Sequence, residues 1–124
     1  MSLLLDTQVL LLWLGDGTIA PEARSRITDP ANLVAVSAAS IWEISIKKAL
    51  GKLRFEGSIV DYVASAGFEP LPVLLAHAEH AGTLPSHHRD PFDRMLIAQA
   101  QLERLSIVTR DAAFDAYDVP VLKG

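Results

Sequence analysis

The chain contains no cysteine. Disulfide frameworks, thiol catalysis and cysteine-ligated zinc are therefore excluded, and a reducing cytoplasmic setting is the expected one. Positive charge is also in short supply. Eleven Lys and Arg face fifteen Asp and Glu, for a net charge of −4 and a pI near 5.4. A protein that holds nucleic acid through a broad electrostatic patch is usually basic, so any such role here must rest on a local site. Long apolar runs are missing as well. Leu3–Leu5 is cut by Asp6, and Val9–Leu14 ends at Gly15-Asp16. Both fall far short of the roughly 20 residues of a membrane span, and no signal peptide is expected. The glycines form neither GxGxxG nor a Walker loop. No Ser-His-Asp set, internal repeat or low-complexity linker is evident.

What is present is compact and apolar. The 124 residues fit one domain, 1–124. Half of them are hydrophobic and mean hydropathy is +0.26, ample for one layered core. Ser2–Leu5 reads as a buried strand and Thr7–Leu14 as a helix. Gly15-Asp16-Gly17 is a loop, Pro21–Ile27 a polar helix with Pro in its first turn, and Leu33–Ser37 a second strand. Ala39–Leu50 is a long helix with Gly51 where a cap belongs, and Ser58–Ala66 a helix closed by Gly67. Pro70 and Pro72 demote Phe68–Val73 to an edge strand. Leu74–Gly82 is helical, and Asp90-Pro91 opens a helix that runs to about Leu105. Strand Ser106–Thr109, a short turn or helix over Asp111–Tyr117, and strand Val119–Leu122 complete the chain. Strands alternating with helices imply βαβ units, hence an α/β fold with a parallel sheet covered on both faces.

Four acids share one kind of position. Asp6 and Asp111 follow strands; Glu43 and Asp93 lie early in helices. In an open parallel sheet the strand carboxyl ends and the following helix N-termini form one rim, where the functional crevice lies. Each acid also has a purely structural role available. Asp6, Asp90 and Asp111 suit N-caps, with Asp93 at the third position of its helix. Ser40-Ile-Trp-Glu43 fits a capping box, and Glu43 with Lys47 an i,i+4 pair. Jointly, carboxylates on one rim repel and raise one another's pKa unless a divalent cation sits among them. Oxygen ligands suit Mg²⁺ or Mn²⁺, and such an ion orients a phosphodiester and activates water.

These segments, spanning almost the whole chain, resemble the PIN-domain family, most closely the VapC-type ribonuclease toxins of type II toxin–antitoxin pairs. Leu3-Leu-Leu-Asp6-Thr7 looks like its opening strand, and Ser37-Ala-Ala-Ser-Ile-Trp-Glu43-Ile-Ser-Ile-Lys47 like its second motif. Arg89-Asp-Pro-Phe-Asp93-Arg-Met-Leu-Ile-Ala-Gln-Ala100 is the most specific segment and looks like the third; Ile107-Val-Thr109-Arg-Asp111-Ala-Ala-Phe114 resembles the fourth. The resemblance implies a PIN-like three-layer α/β/α fold with a central, mostly parallel sheet. It implies a Mg²⁺- or Mn²⁺-dependent endoribonuclease with Asp6, Glu43, Asp93 and Asp111 as catalytic acids, the metal held by Asp6, Asp93 and Asp111. It further implies a homodimer inhibited by a cognate antitoxin. Thr7, Asp90, Thr109 and Asp115 are secondary candidates.

Lys47, Lys48, Lys52, Arg54, Arg89, Arg94 and Arg110 lie in or beside these motifs. They form a candidate basic border for RNA phosphates, with Lys47, Arg89, Arg94 and Arg110 foremost; ordinary solvated charge is the alternative. His77 and His80, near Glu79, fall short of a zinc ligand set and read as a plain surface helix. His87-His88 read as solvated loop residues, with RNA contact or proton transfer as the alternative. Trp13 and Trp42 read as core, the alternative being a dimer or antitoxin interface. The apolar first half of the chain and helix Leu74–Gly82 are candidate interface faces. Two rival functions remain at this point: a catalytically inactive PIN-like binding module, and a receiver-like phosphoacceptor domain.

Overall fold

A computed structural model of the chain describes residues 1–15 and 17–124. The expected Gly15-Asp16-Gly17 loop includes Asp16, which lies outside the described residues. The elements are β1 (Ser2–Leu5), α1 (Thr7–Leu14), α2 (Pro21–Thr28), β2 (Leu33–Ser37), α3 (Ala38–Ala49) and α4 (Ile59–Ser65). They continue with β3 (Glu69–Leu71), α5 (Leu75–Thr83), α6 (Pro91–Glu103), β4 (Ser106–Thr109), a 3-10 turn (Ala112–Ala116) and β5 (Val121–Lys123).

The strands form one sheet in the order β3-β2-β1-β4-β5, and all four pairings are parallel. Period-2 alternation sends neighbouring side chains to opposite faces. Leu3, Leu5, Val34, Val36 and Val108 join residues of α1–α4 in one apolar cluster. Leu4, Ala35 and Ile107 join α5, α6 and the 3-10 turn in the other. This is a three-layer α/β/α sandwich. Leu3, Leu4 and Leu5 are wholly buried, each contributing roughly 1.5–3 kcal/mol. A strand covered on both faces needs such a continuous apolar run.

The two-proline segment is indeed an edge: β3 pairs only with β2. Gly51 and Gly67 adopt φ +71° and +75°, the left-handed conformation that ends a helix cheaply only at glycine. The last strand begins two residues later and ends one residue later than expected, at Val121–Lys123. Among the described residues no helix is long and apolar enough to cross a membrane.

Three expectations need correction. The capping box at Ser40 does not form, because α3 starts earlier: Ser37 is its N-cap, accepting from the Ala39 N–H. Glu43 therefore sits in the second turn, free of any capping duty. Trp42 is not core but 64% exposed, packing edge-on against Phe92 at 5.3 Å. Trp13 is partly buried, stacked near Phe68 and under Arg24. The third correction concerns α5, which docks on α6 through its histidines. His77 is 1% exposed; its Nδ1 accepts from the Leu74 N–H at 3.0 Å and its Nε2 meets Glu103 at 2.8 Å. His80 Nε2 meets Gln101 at 2.6 Å.

Candidate active site

The sheet order sets the location. The chain leaves β1 for β2 and β3 on one side, then returns to β4 on the other. The crevice at this reversal opens above the carboxyl ends of β1 and β4. Leu5 pairs with Val108, and the Asp6 N–H extends the ladder to the Val108 carbonyl at 3.1 Å. Asp6 and Thr109 are thereby brought abreast. Thr109 Oγ1 donates to Asp6 Oδ2 at 2.5 Å and accepts from the Asp111 N–H at 3.0 Å. Asp6 Oδ1 caps α1 through the Val9 N–H at 2.8 Å.

Five carboxylates, Asp6, Glu43, Asp90, Asp93 and Asp111, line one pocket of about 360 Å³ together with Thr7 and Lys47. Glu43 arrives from α3, whose position is tied to α1 by the Thr7 hydroxyl donating to Ser40 Oγ at 3.0 Å. Asp90 caps α6 through the N–H groups of Phe92 and Asp93, which places Asp93 in the first turn. Asp111 caps the 3-10 turn through the Ala113 N–H at 2.9 Å. Capping and pocket lining are thus compatible: one oxygen of each holds backbone, and the second is left for other partners, Thr109 at Asp6 and His88 at Asp111. Asp115 is exposed and does not line this pocket. Three larger grooves exist: two, of about 500 and 630 Å³, flank Trp42 and are lined almost wholly by apolar groups, and a third, of about 510 Å³, holds His80, Arg104 and a single carboxylate, Asp118. None of the three gathers carboxylates as the smaller pocket does, so the smaller polar pocket is the candidate chemical one.

The electrostatics carry the mark of crowded acids. Burial pushes the Asp93 carboxyl up to about 7, reinforced by Asp90, Glu43 and Asp6 and opposed by His88. Burial likewise raises Asp6, against the hydrogen bonds from Thr109 and Val9. Lys47 donates to Glu43 Oε2 at 2.7 Å; that bond, with Asp90 and Asp93 nearby, holds its ammonium above the ordinary value. Glu43 Oε1 is buried with no hydrogen-bond partner among the described residues. A lone carboxylate oxygen left dry costs about 1–3 kcal/mol or more, unless a cation meets it. Oxygen donors from several elements, one of them orphaned, fit a hard divalent ion.

One histidine belongs to this cluster that the sequence reading left in solvent. His88 Nε2 lies 2.9 Å from Asp93 Oδ2 and 3.1 Å from Asp111 Oδ2. The available signal was its place, two residues before the Asp90 cap. His87 stays outside, packed on Tyr117 at 5.2 Å. The basic border is thinner than expected. Arg94 spends its guanidinium on the carbonyls of Ala81, Leu84, Pro85 and His88. Arg110 bonds the carbonyls of Thr18 and Gly124. Lys47 lines the pocket and is exposed, and so is Arg89, the residue before Asp90 in the chain.

Arg94 is therefore a structural brace. Arg94→Met should lower stability by about 2 kcal/mol, roughly 8 °C in melting temperature, and open the 84–90 loop to proteolysis. Arg94→Lys should rescue little, because one ammonium cannot span four carbonyls. A lysine variant as stable as wild type would refute the brace.

The fold has close counterparts among solved structures. VapBC2 from Rickettsia felis, bound to a DNA fragment from their promoter, superposes with a TM-score of 0.75 at 13% identity, covering 98% of both chains. FitAcB from Neisseria gonorrhoeae gives 0.64 at 25% identity over 98% of this chain and 96% of that one. A toxin–antitoxin complex from Klebsiella pneumoniae gives 0.66 at 23% identity over 97% and 95%. No curated protein matches the chain. The PIN domain family, however, matches residues 3–120. With nearly every residue inside that match, the receiver-like alternative falls away, and the chain belongs to the PIN domain family.

Proposed function

We propose that this protein is a metal-dependent endoribonuclease that hydrolyses RNA phosphodiester bonds and acts as the toxin of a toxin–antitoxin pair. The observation that carries the reading is the meeting of five carboxylates in the β1/β4 crevice, with Glu43 Oε1 left bare. Asp6, Asp93 and Asp111 would hold Mg²⁺ or Mn²⁺, with Glu43 as the fourth catalytic acid. The bound ion supplies Lewis acidity and a water of lowered pKa. Thr109 orients Asp6, and Asp90 and Thr7 support the walls. Lys47 and Arg89 contact backbone phosphates at the rim. The acidic net charge is no obstacle, since phosphate contacts are local.

Protein partners also enter this reading. Solved structures that share the fold include toxin–antitoxin complexes, which supports a cognate antitoxin; a homodimer acting in the cytoplasm completes the reading. Trp42, and Leu75 at 92% exposure, supply apolar surface of the kind such partners cover.

The test is cleavage of structured RNA by purified protein with Mg²⁺, with Mn²⁺ and with chelator. Metal-dependent cleavage that Asp6→Asn abolishes is expected. Persistent inactivity with either ion would leave the inactive binding module as the better account.

A further inference from the structure

The 84–90 loop is held more firmly than a surface connection requires. Arg94 grips it through four carbonyls, including that of His88. The Tyr117 hydroxyl accepts from the His88 N–H at 2.7 Å and donates to the Pro85 carbonyl at 2.7 Å. The product of this scaffolding is a fixed imidazole, edge-on to Phe114 at 5.8 Å. Its Nδ1 accepts from the Asp90 N–H at 3.2 Å. A ring nitrogen that accepts carries no proton, so the proton of the neutral ring resides on Nε2. Nε2 is thus a donor: it bonds Asp111 Oδ2 at 3.1 Å and stands 2.9 Å from Asp93 Oδ2, a close polar contact without the alignment of a hydrogen bond.

We propose that His88 is the positioning residue of the metal centre: one imidazole nitrogen that bonds Asp111, stands against Asp93, and so clamps the two at a preset spacing for a divalent ion. The proposal rests on the metal-dependent reading above. Asp93 stands on α6 and Asp111 follows β4, so no shared backbone element sets their separation. Left alone, the two like charges would part. The clamp engages one oxygen of each and leaves Asp93 Oδ1 to the ion. Asp111 Oδ1 caps the 3-10 turn and keeps a lone pair for the ion. A separate pointer to a cation is the buried, unpartnered Glu43 Oε1 on the same pocket. Direct ligation by His88 would move the proton to Nδ1 and set two N–H groups head to head at Asp90. The clamp needs no rearrangement. Donors to ligating carboxylates of this kind are typically worth 10–100-fold in metal affinity.

The test is calorimetric binding of Mg²⁺ and of Mn²⁺ to wild type, His88→Leu and His88→Gln, with nitrogen-15 NMR of the wild-type imidazole. His88→Leu should weaken both ions alike by roughly 10–100-fold. His88→Gln, whose amide N–H reaches the same carboxylates, should recover most of the loss. Nε2 should stay protonated when Mg²⁺ is added. Loss of that proton, or a defect confined to Mn²⁺, would make His88 a ligand and overturn the clamp. Tighter binding in His88→Leu would mean that the ring occupies the place of the ion, and unchanged binding would mean that it does nothing; either overturns the proposal. Wild type that binds neither ion would bring down the metal reading itself, and the clamp with it. The NMR result stands even if the leucine variant folds poorly.

Discussion

Asp93→Asn is expected to reduce RNA cleavage by at least about 10³-fold, while making the metal-free protein more heat-stable at pH 7.5. The activity loss follows from removing one charge among the acids that would hold the ion, a change of about 4 kcal/mol in the transition state. The stability gain follows from linkage. Asp93 titrates near 7 in the folded chain but near 3.9 when unfolded. Between these values the unfolded state has released the proton and the folded state retains it, so stability falls as pH rises. The penalty is absent below about pH 4 and complete above about 7. One side of Asp93 is open to solvent, so screening leaves about 1–2 kcal/mol, or roughly 4–8 °C. Melting temperatures of both proteins from pH 5 to 8 check this. Asn should flatten the slope without abolishing it, because Asp6 is raised in the same direction. An asparagine variant that melts below wild type at pH 7.5 would show that helix capping, not repulsion, dominates at this position.

The second large effect is the response to metal. At an Mn²⁺ or Mg²⁺ concentration 100 times the dissociation constant, mass action adds about 2.7 kcal/mol. For a chain of this size that is a rise of about 10 °C. Asp93→Asn and Asp6→Asn should show little of it. The wild-type rise should shrink at pH 5.5, because the ion must then displace the proton that Asp93 retains below about 7. Differential scanning calorimetry with and without metal at the two pH values reads both. Equal shifts in wild type and Asp93→Asn would place the ion elsewhere.

Much of this architecture was legible in the residues. Leu3-Leu-Leu before Asp6 can only be a strand buried on both faces, and Pro70 with Pro72 forces its segment to an edge. Acids at strand ends announced the crevice because parallel sheets bring those ends to one rim. What escaped depended on contacts between distant segments. α3 presents apolar residues on two faces, so its pattern did not tell which would dock, and Trp42 was assigned inward. His77 sits among alanines and a glutamate, and only the packing of α5 on α6 buries it. Arg94 looked like any charge beside a motif; four carbonyls from an irregular loop leave no periodic trace. His88 escaped for the same reason.

The bond from Thr109 to Asp6 spans 103 residues, joining two neighbouring central strands that are far apart in the chain. Chains emerge from the ribosome N-terminal end first. Until β4 has docked on β1, Asp6 faces neither Thr109 nor Asp111, and the crevice does not exist. Whatever chemistry this pocket performs, a nascent chain still without β4 cannot perform it: the backbone pairing of β4 with β1 is the one that assembles the acids.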